Sequence, residues 1–312
     1  ETGSGSSASD RAWFSIAEDA TLEFTWGASD DDLLRASLAN VPGPGTPTND
    51  GPSNLNYGWD WSTGGFTEGT WNPRLTVYDN SGLTAVQTMF IGIDRTGPTI
   101  GSVTTGSSSG WSTSSSVTLS GLINSVDDGL GSGVAYTEIS LDENSWTQIS
   151  SNTHTLTLPD GTHTIYLRAT DNVGNIGPTT QLSVQVDTGL PLEGDWSVDE
   201  LTTALIGGVS VQYSASDLVS GVDLTNSYIE YGFDSNGFGQ TPDLSGSWQP
   251  SMGSGLDSTV AQSSWATKSR QYLMLRATVI DVAGNSIQTD PVFYQVLPSI
   301  DFQWNLTTTL SL

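Results

Sequence analysis

The sequence predicts an all-β chain of three tandem antiparallel β-sandwich domains, and three observations carry that expectation. The first is a stretch that returns three times. It reads Leu167-Arg168-Ala169-Thr170-Asp171-Asn172-Val173-Gly174-Asn175, then Leu275-Arg276-Ala277-Thr278-Val279-Ile280-Asp281-Val282-Ala283-Gly284-Asn285, and more loosely Leu75-Thr76-Val77-Tyr78-Asp79-Asn80-Ser81-Gly82-Leu83. The second is phase. Leu75 and Val77, then Ile165, Leu167 and Ala169, then Leu273, Leu275, Ala277 and Val279 share the parity of their own Asp. Apolar residues of period two mark a half-buried strand, here running into an Asp-x-x-Gly turn. The third is composition: 13% charged residues with 35 glycines in 312 residues suits short strands and many turns rather than helices.

A second strand follows each turn. Met89, Ile91 and Ile93 alternate in the first copy, Leu182, Val184 and Val186 in the second, and Val292, Tyr294 and Val296 in the third. Each is followed by a break, at Asp94-Arg95-Thr96-Gly97-Pro98, at Asp187-Thr188-Gly189-Leu190-Pro191, and at Leu297-Pro298. Proline cannot continue a strand ladder, so the breaks mark domain exits. The turn glycines 82, 174 and 284 stand 92 and 110 residues apart. A seven-stranded sandwich takes about 100 residues, which makes the architecture immunoglobulin-like (Ig-like). The expected division is a flexible tail over 1–10, Ig-like domains over 11–97, 98–188 and 189–298, and a terminal strand or the start of a further domain over 299–312.

Within the first domain Phe14 and Ile16, then Leu22, Phe24 and Trp26, alternate as strands before the acidic loop Asp30-Asp31-Asp32. The segment Asp30–Leu38 fits one or two turns of helix. Residues 41–53 form a Pro/Gly-rich loop, and Tyr57, Trp59 and Trp61 alternate again. In the second domain Asp142–Trp146 and Pro159-Asp160-Gly161 are each hairpin signals. His154 and His163 fall on the two arms of the latter and serve as surface residues or as a metal pair. In the third domain Val209, Val211 and Tyr213 open a strand, and Asp234–Ser264 is an insertion. Ile300, Phe302, Trp304 and Leu306 alternate like one more strand.

The stretch Tyr57-Gly58-Trp59-Asp60-Trp61-Ser62-Thr63-Gly64-Gly65, with Val77-Tyr78-Asp79-Asn80-Ser81-Gly82, resembles the polycystic-kidney-disease-type (PKD-like) domain. That family carries a Trp-Asp-Phe-Gly-Asp-Gly-like turn; here Trp61 replaces the Phe and Ser62-Thr63 the Gly-Asp. Residues 117–187 and 209–297 share the order Asp, Ser-Gly-Val, strand, Trp, strand, Asp-x-x-Gly-Asn. That order resembles the Ig-like modules of large bacterial and archaeal surface proteins. The resemblance implies sandwich modules and leaves the ligand open.

Eight basic residues against 34 acidic ones give a net charge of −26. Nucleic-acid binding rests on neutralising phosphates, and anionic membranes repel such a surface, so neither is an expected partner. The absence of cysteine excludes disulfides and thiolate metal sites. No run approaches the roughly 20 apolar residues of a membrane span. No Gly-x-Ser-x-Gly, His-Glu-x-x-His or phosphate-binding glycine loop is present, and no enzyme is expected.

The acidic loops are the candidate metal site. Asp127, Asp128, Asp171 and Asp187 are expected to gather at one pole of the second domain, and Asp217, Asp223 and Asp281 at one pole of the third. Calcium takes about six to eight oxygens from carboxylates and loop carbonyls. The cadherins, which these loops resemble, stiffen their joints in this way. The other reading is that Asp171 and Asp281 only cap their own turns. Trp111, Trp196, Trp248 and Trp265 lie in turn-rich stretches and are candidates for stacking on glycans, against the alternative of core packing. Together these features point to an extracellular structural or adhesive module of a microbial cell-surface protein: a spacer, adhesin or surface-layer component. Its expected partners are other copies or domains of a surface protein, and calcium its one expected cofactor. The alternatives are a carbohydrate-binding accessory region of a secreted enzyme and a filament subunit that exchanges residues 299–312 with its neighbour.

Overall fold

The computed structural model describes residues 4–15, 21–40, 48–50, 54–62, 68–107, 110–124, 126–198, 209–234, 236, 240, 247–251, 255–261 and 271–296, with the backbone alone for 21–27, 29, 48–50, 54–62 and 127. The terminal strand expected at 299–312, Trp265, and the side chains of Asp127, Trp26, Trp59 and Trp61 therefore lie outside the described residues. The described residues are all-β and hold no helix. None therefore offers a helix long and apolar enough to cross a membrane. The chain divides into two compact units, Glu1–Gly106 with Thr118–Leu156 and His163–Ser183, and Ser107–Val117 with Thr157–Thr162 and Val184–Leu312.

The third repeat shows the packing most fully. Trp196–Val198, Val209–Tyr213 and Asp257–Val260 form one sheet. Gln249–Pro250, Tyr228–Asp234, Tyr272–Ile280 and Ser286–Gln288 form the other, with Val292–Gln295 also paired to the long strand. Val209, Val211 and Val260 from the first sheet meet Ile229, Leu273, Leu275, Ala277 and Val279 from the second in one cluster, which makes the repeat a sandwich. Leu273, Leu275, Ala277 and Val279 are wholly buried, as their shared parity requires. Each large apolar side chain removed from water contributes about 1.5–3 kcal/mol.

The second repeat follows the same order. Trp111–Ser112, Thr180–Val186, Gly161–Asp171, Val134–Ser140 and Thr147–Ile149 make a five-stranded sheet, and Ser116–Ser120 pairs with Thr153–Thr157 in another. The expected hairpin at Pro159-Asp160-Gly161 is instead a crossover, because its two arms belong to different sheets. His154 and His163 accordingly stand in separate sheets. The ladder is not wholly antiparallel: Trp111 and Ser112 run parallel to Gln185 and Val186, and Ala12–Phe14 runs parallel to Ile91–Ile93.

In the first repeat Thr21–Ser29 pairs with Asn54–Ser62, the strand that carries the Trp-Asp stretch. Leu33–Ala39 pairs with Thr48–Asp50 and with Arg74–Asp79, which pairs in turn with Thr84–Thr88. Leu33 and Ala36 pack with Ala28, Leu75 and Val77 across the two layers. The helix expected at Asp30–Leu38 is a strand. A register shift between Leu33 and Arg35 breaks its period-two pattern, so that Leu33, Ala36 and Leu38 are the buried positions. A bulge of this kind mimics helical spacing in a sequence.

An outer-face motif recurs in the second and third repeats. Glu138 lies across from Arg168 and Glu230 across from Arg276, as ion pairs of 2.6 and 2.7 Å. Arg168 lies 4.0 Å over the ring of Trp146, and Arg276 4.2 Å over that of Trp248. A guanidinium over an indole, held by a carboxylate, ties two paired strands to the segment that enters the next one. Replacing the wholly buried Leu275 by Ala is expected to cost about 2–5 kcal/mol in denaturant unfolding. The same change at Leu218, 85% exposed, is expected to stay within about 0.5 kcal/mol.

Candidate functional site

Among the described residues three carboxylate clusters sit at equivalent poles of the three repeats. They are Asp94 with Asp128 and Asp171, Asp187 with Asp217 and Asp281, and Asp30 with Asp32 and Asp79. In each cluster one oxygen per residue lies within 4.8 Å of the others. The turn Asp is placed by strand geometry. The long strand ends at the pole, and the following Gly (φ +96° at Gly174, +106° at Gly284) closes the turn with space around it. The glycine is therefore required by backbone conformation rather than by crowding.

The turn carboxylates cap their own turns and also stand among neighbouring carboxylates. Asp171 Oδ1 accepts from the N–H groups of Val173 and Asn175, both at 2.9 Å, and Asp281 Oδ1 from those of Gly284 and Asn285 at 2.7 and 2.8 Å. Each turn is thus capped by its own Asp. The same residues also stand in the clusters.

The preceding chain segment completes the first two clusters. Asn175 Nδ2 donates to Asp171 Oδ2 and to the main-chain carbonyl of Asp94, at 2.7 and 3.1 Å. Asn285 Nδ2 repeats this on Asp281 Oδ2 and the carbonyl of Asp187, at 2.9 and 3.0 Å. The loops close the other side. Ser132 N–H donates to Asp94 Oδ2 and Ser220 N–H to Asp187 Oδ2. Asp128 accepts from the N–H of Gly133, and Asp217 Oδ1 from those of Val219, Ser220 and Gly221. Each joint thus links the exit of one repeat to the loop and turn of the next.

This corrects the expected grouping. Asp187 belongs with Asp217 and Asp281, not with Asp128 and Asp171. Strand Gly161–Asp171 ends at one pole, and the returning strand Thr180–Val186 carries the chain to the opposite one, where Thr188 meets Asp160. Asp223 stands outside every cluster. It caps its own turn through Thr225 and Asn226, and the hydrogen bonds from the Asn226 side chain and main chain hold its carboxyl below the ordinary range. Asp94, absent from the expected site, fills the place expected of Asp187. The two exit motifs carry the missed signal, since both start with Asp directly after a core strand.

The joints differ in their unmet needs. Asp94, Asp171, Asp187 and Asp281 are buried, none more than 2% exposed. Burial, and then the charges of Asp94, Asp171 and Glu68, push Asp128 up to about 6, against the opposing hydrogen bond from Gly133. Burial also raises Asp94, opposed by the hydrogen bond from the Ser132 main chain. Among the described residues Asp128 Oδ1 and Ser132 Oγ are buried without a hydrogen-bond partner. Unsatisfied oxygens beside crowded carboxylates fit a hard cation, which takes oxygen ligands and removes the repulsion. Asp94, Asp128, Asp171 and Ser132 are the residues that would hold it at the first joint, and Asp187, Asp217 and Asp281 at the second.

The candidate tryptophans are partly occupied. Trp196 packs on Tyr213, with ring centroids 4.8 Å apart, at the edge of the third core. One face of Trp248 is covered by Arg276. Trp111 is half-buried on its short parallel strand.

No family model matches the sequence, and no curated protein matches it. Solved structures do. Fibronectin(III)-like modules of Clostridium thermocellum CbhA match with 11% identity and a TM-score of 0.27, over 57% of this chain and 90% of that one. Three N-terminal domains of the Highly Immunogenic Outer Capsid protein (Hoc) of bacteriophage RB49 match with 14% identity and a TM-score of 0.41, over 90% and 95%. A tetra-tandem repeat in the extending region of a large adhesion protein matches with 15% identity and a TM-score of 0.28, over 89% and 71%.

The raised Asp128 carboxyl sets a pH dependence. The folded, cation-free joint binds a proton that an unfolded Asp, titrating at about 3.9, has released. The contribution of Asp128 to stability is thus fully present below about pH 4 and is lost as pH rises through about 6. Melting of chelated protein is expected to fall across this window, and Asp128→Asn to flatten the fall.

Proposed function

We propose that the chain is a structural, adhesive module of an extracellular cell-surface protein, with Ig-like domains at 11–97, 98–188 and 189–298 joined by cation-stapled contacts. The observation that carries this reading is the repeated joint. Twice, a buried exit Asp meets the loop and turn carboxylates of the next repeat, and twice an Asn amide fastens the exit carbonyl. A chain that only needed flexible spacing would gain nothing from burying carboxylates at its joints, since each buried charge costs several kcal/mol unless compensated. Calcium is the expected cation, because the donors are hard oxygens from separate loops that can adjust to its irregular coordination.

The cation acts on mechanics rather than on chemistry. It draws together three segments that would otherwise repel, and so limits bending at each joint. A net charge of −26 on the remaining surface keeps such a module soluble and discourages self-association. No catalytic residue is assigned. The glycan reading finds less support, because Trp196 packs against a core and Trp248 is covered on one face by an arginine.

Calcium is expected to raise the melting temperature of chelated protein at neutral pH, by an amount that grows with free calcium as RT ln(1 + [L]/Kd). The double variant Asp187→Asn with Asp281→Asn should lose the part of this gain that belongs to the second joint. A melting curve insensitive to both chelator and calcium would remove the cation. Asn285→Ala tests the fastening itself. It is expected to cost about 1–3 kcal/mol in denaturant unfolding, through a buried carbonyl and carboxylate left without their donor.

A further inference from the structure

The pole of the first repeat is built unlike the other two. In the equivalent turns Asn175 and Asn285 follow the turn glycine and bind the carbonyl of an entering segment. Here the residue after Gly82 is Leu83, which has no donor to offer and is 71% exposed. In the other two clusters one carboxylate of three comes from the entering segment. Here all three come from the repeat itself. Asn80 N–H donates to the carbonyl of Asp32, as Asn172 does to Gly133 and Val282 to Gly221. Asp32 therefore stands where the other loops carry glycine, and an added carboxylate replaces bare backbone.

Beside these residues lies an open cleft of about 310 Å³, with Ala28, Leu33, Val77 and Leu83 along it and Asp30 and Asp79 at its rim. At the two other poles the exit segments that begin at Asp94 and Asp187 are fastened by Asn175 and Asn285. The first pole thus offers an equivalent place in which the polarity has been changed. It has lost the amide that fastens a carbonyl and gained an apolar side chain. It already carries its full set of carboxylates. An entering segment with its own Asp would bring a fourth negative charge, whereas one with lysine or arginine would neutralise the rim and lay its alkyl stem along the apolar floor.

We propose that this cleft binds an extended segment of a partner protein carrying a lysine or arginine next to an apolar residue. The occupant is read from charge complementarity, since Asp30 and Asp79 line an otherwise largely apolar cleft beside Asp32. It goes beyond the structural role proposed above and does not depend on calcium at the joints.

The test uses the full chain and two fluorescently labelled octapeptides. One has the sequence of residues 184–191 and the other the same sequence with Asp187→Lys. Fluorescence anisotropy in low salt with chelator is expected to show saturable binding of the lysine peptide, at least tenfold tighter than that of the unchanged one. The double variant Asp32→Asn with Asp79→Asn should weaken it at least tenfold. Since Asp79 also holds its own turn, the exposed single change Asp32→Lys is the second variant, expected to abolish binding with an unaltered melting curve. Equal binding of both peptides, no saturation by either, or binding indifferent to Asp32→Lys would each overturn the proposal. Calcium binding lost in Asp32→Lys, with no peptide binding, would assign the pole to an ion and overturn it as well. Failure of the joint reading would instead appear at Asp187 and Asp281, which these variants leave untouched.

Discussion

The structure depends on one carboxylate serving two purposes at the end of a core strand. Asp171 and Asp281 each accept two main-chain N–H groups and so close the turn that ends their strand. The second oxygen of each is then held by an asparagine that also grips the carbonyl of the preceding exit segment. Local turn chemistry and repeat-to-repeat contact are therefore one hydrogen-bond network, and neither can be altered alone. Backbone proximity adds to it at the first joint. A side chain at Gly177 would stand 1.7 Å from the carbonyl oxygen of Pro98, so the exit segment lies directly on bare backbone.

Most of the fold was legible because its signals are local. Alternating residues such as Leu273, Leu275, Ala277 and Val279 report one buried face whatever they pack against. Two fold readings failed where a local pattern has two physical causes. A bulge gives Leu33, Ala36 and Leu38 a helix-like spacing, and Pro159-Asp160-Gly161 turns the chain equally well into a hairpin or across to the other sheet. Only the partner strands decide between these, and they are remote in sequence.

The site was half legible. Asp128, Asp171, Asp217 and Asp281 could be picked out as loop and turn carboxylates from their motifs. Their grouping was not settled by the motifs, because it depends on which pole each strand reaches. The needed fact was nonetheless present: antiparallel neighbours end at opposite poles, so an Asp ending one strand and an Asp ending the next cannot meet. That rule alone sends Asp187 forward to the third repeat and calls for Asp94 in its place. Arg276 over Trp248 had no such signal, since the two residues are distant in sequence and share no motif.

The arginines show where the chain places part of its own countercharge. Eight basic residues face 34 acidic ones. Arg168 and Arg276 are held on the outer sheet faces by Glu138 and Glu230 and by the indoles of Trp146 and Trp248. Arg35 lies over Tyr78, and Arg11 donates to the carbonyls of Trp71 and Ile91. Half of the basic side chains are thus committed to stapling strands within a repeat. The carboxylates of the joints then have two ways to lower their repulsion: take up protons or share a cation. Protons suffice in acid, where Asp128 is neutral, but at neutral pH the proton is released and the same burial that shaped the joint works against it. A divalent ion of the kind proposed would remove that conflict.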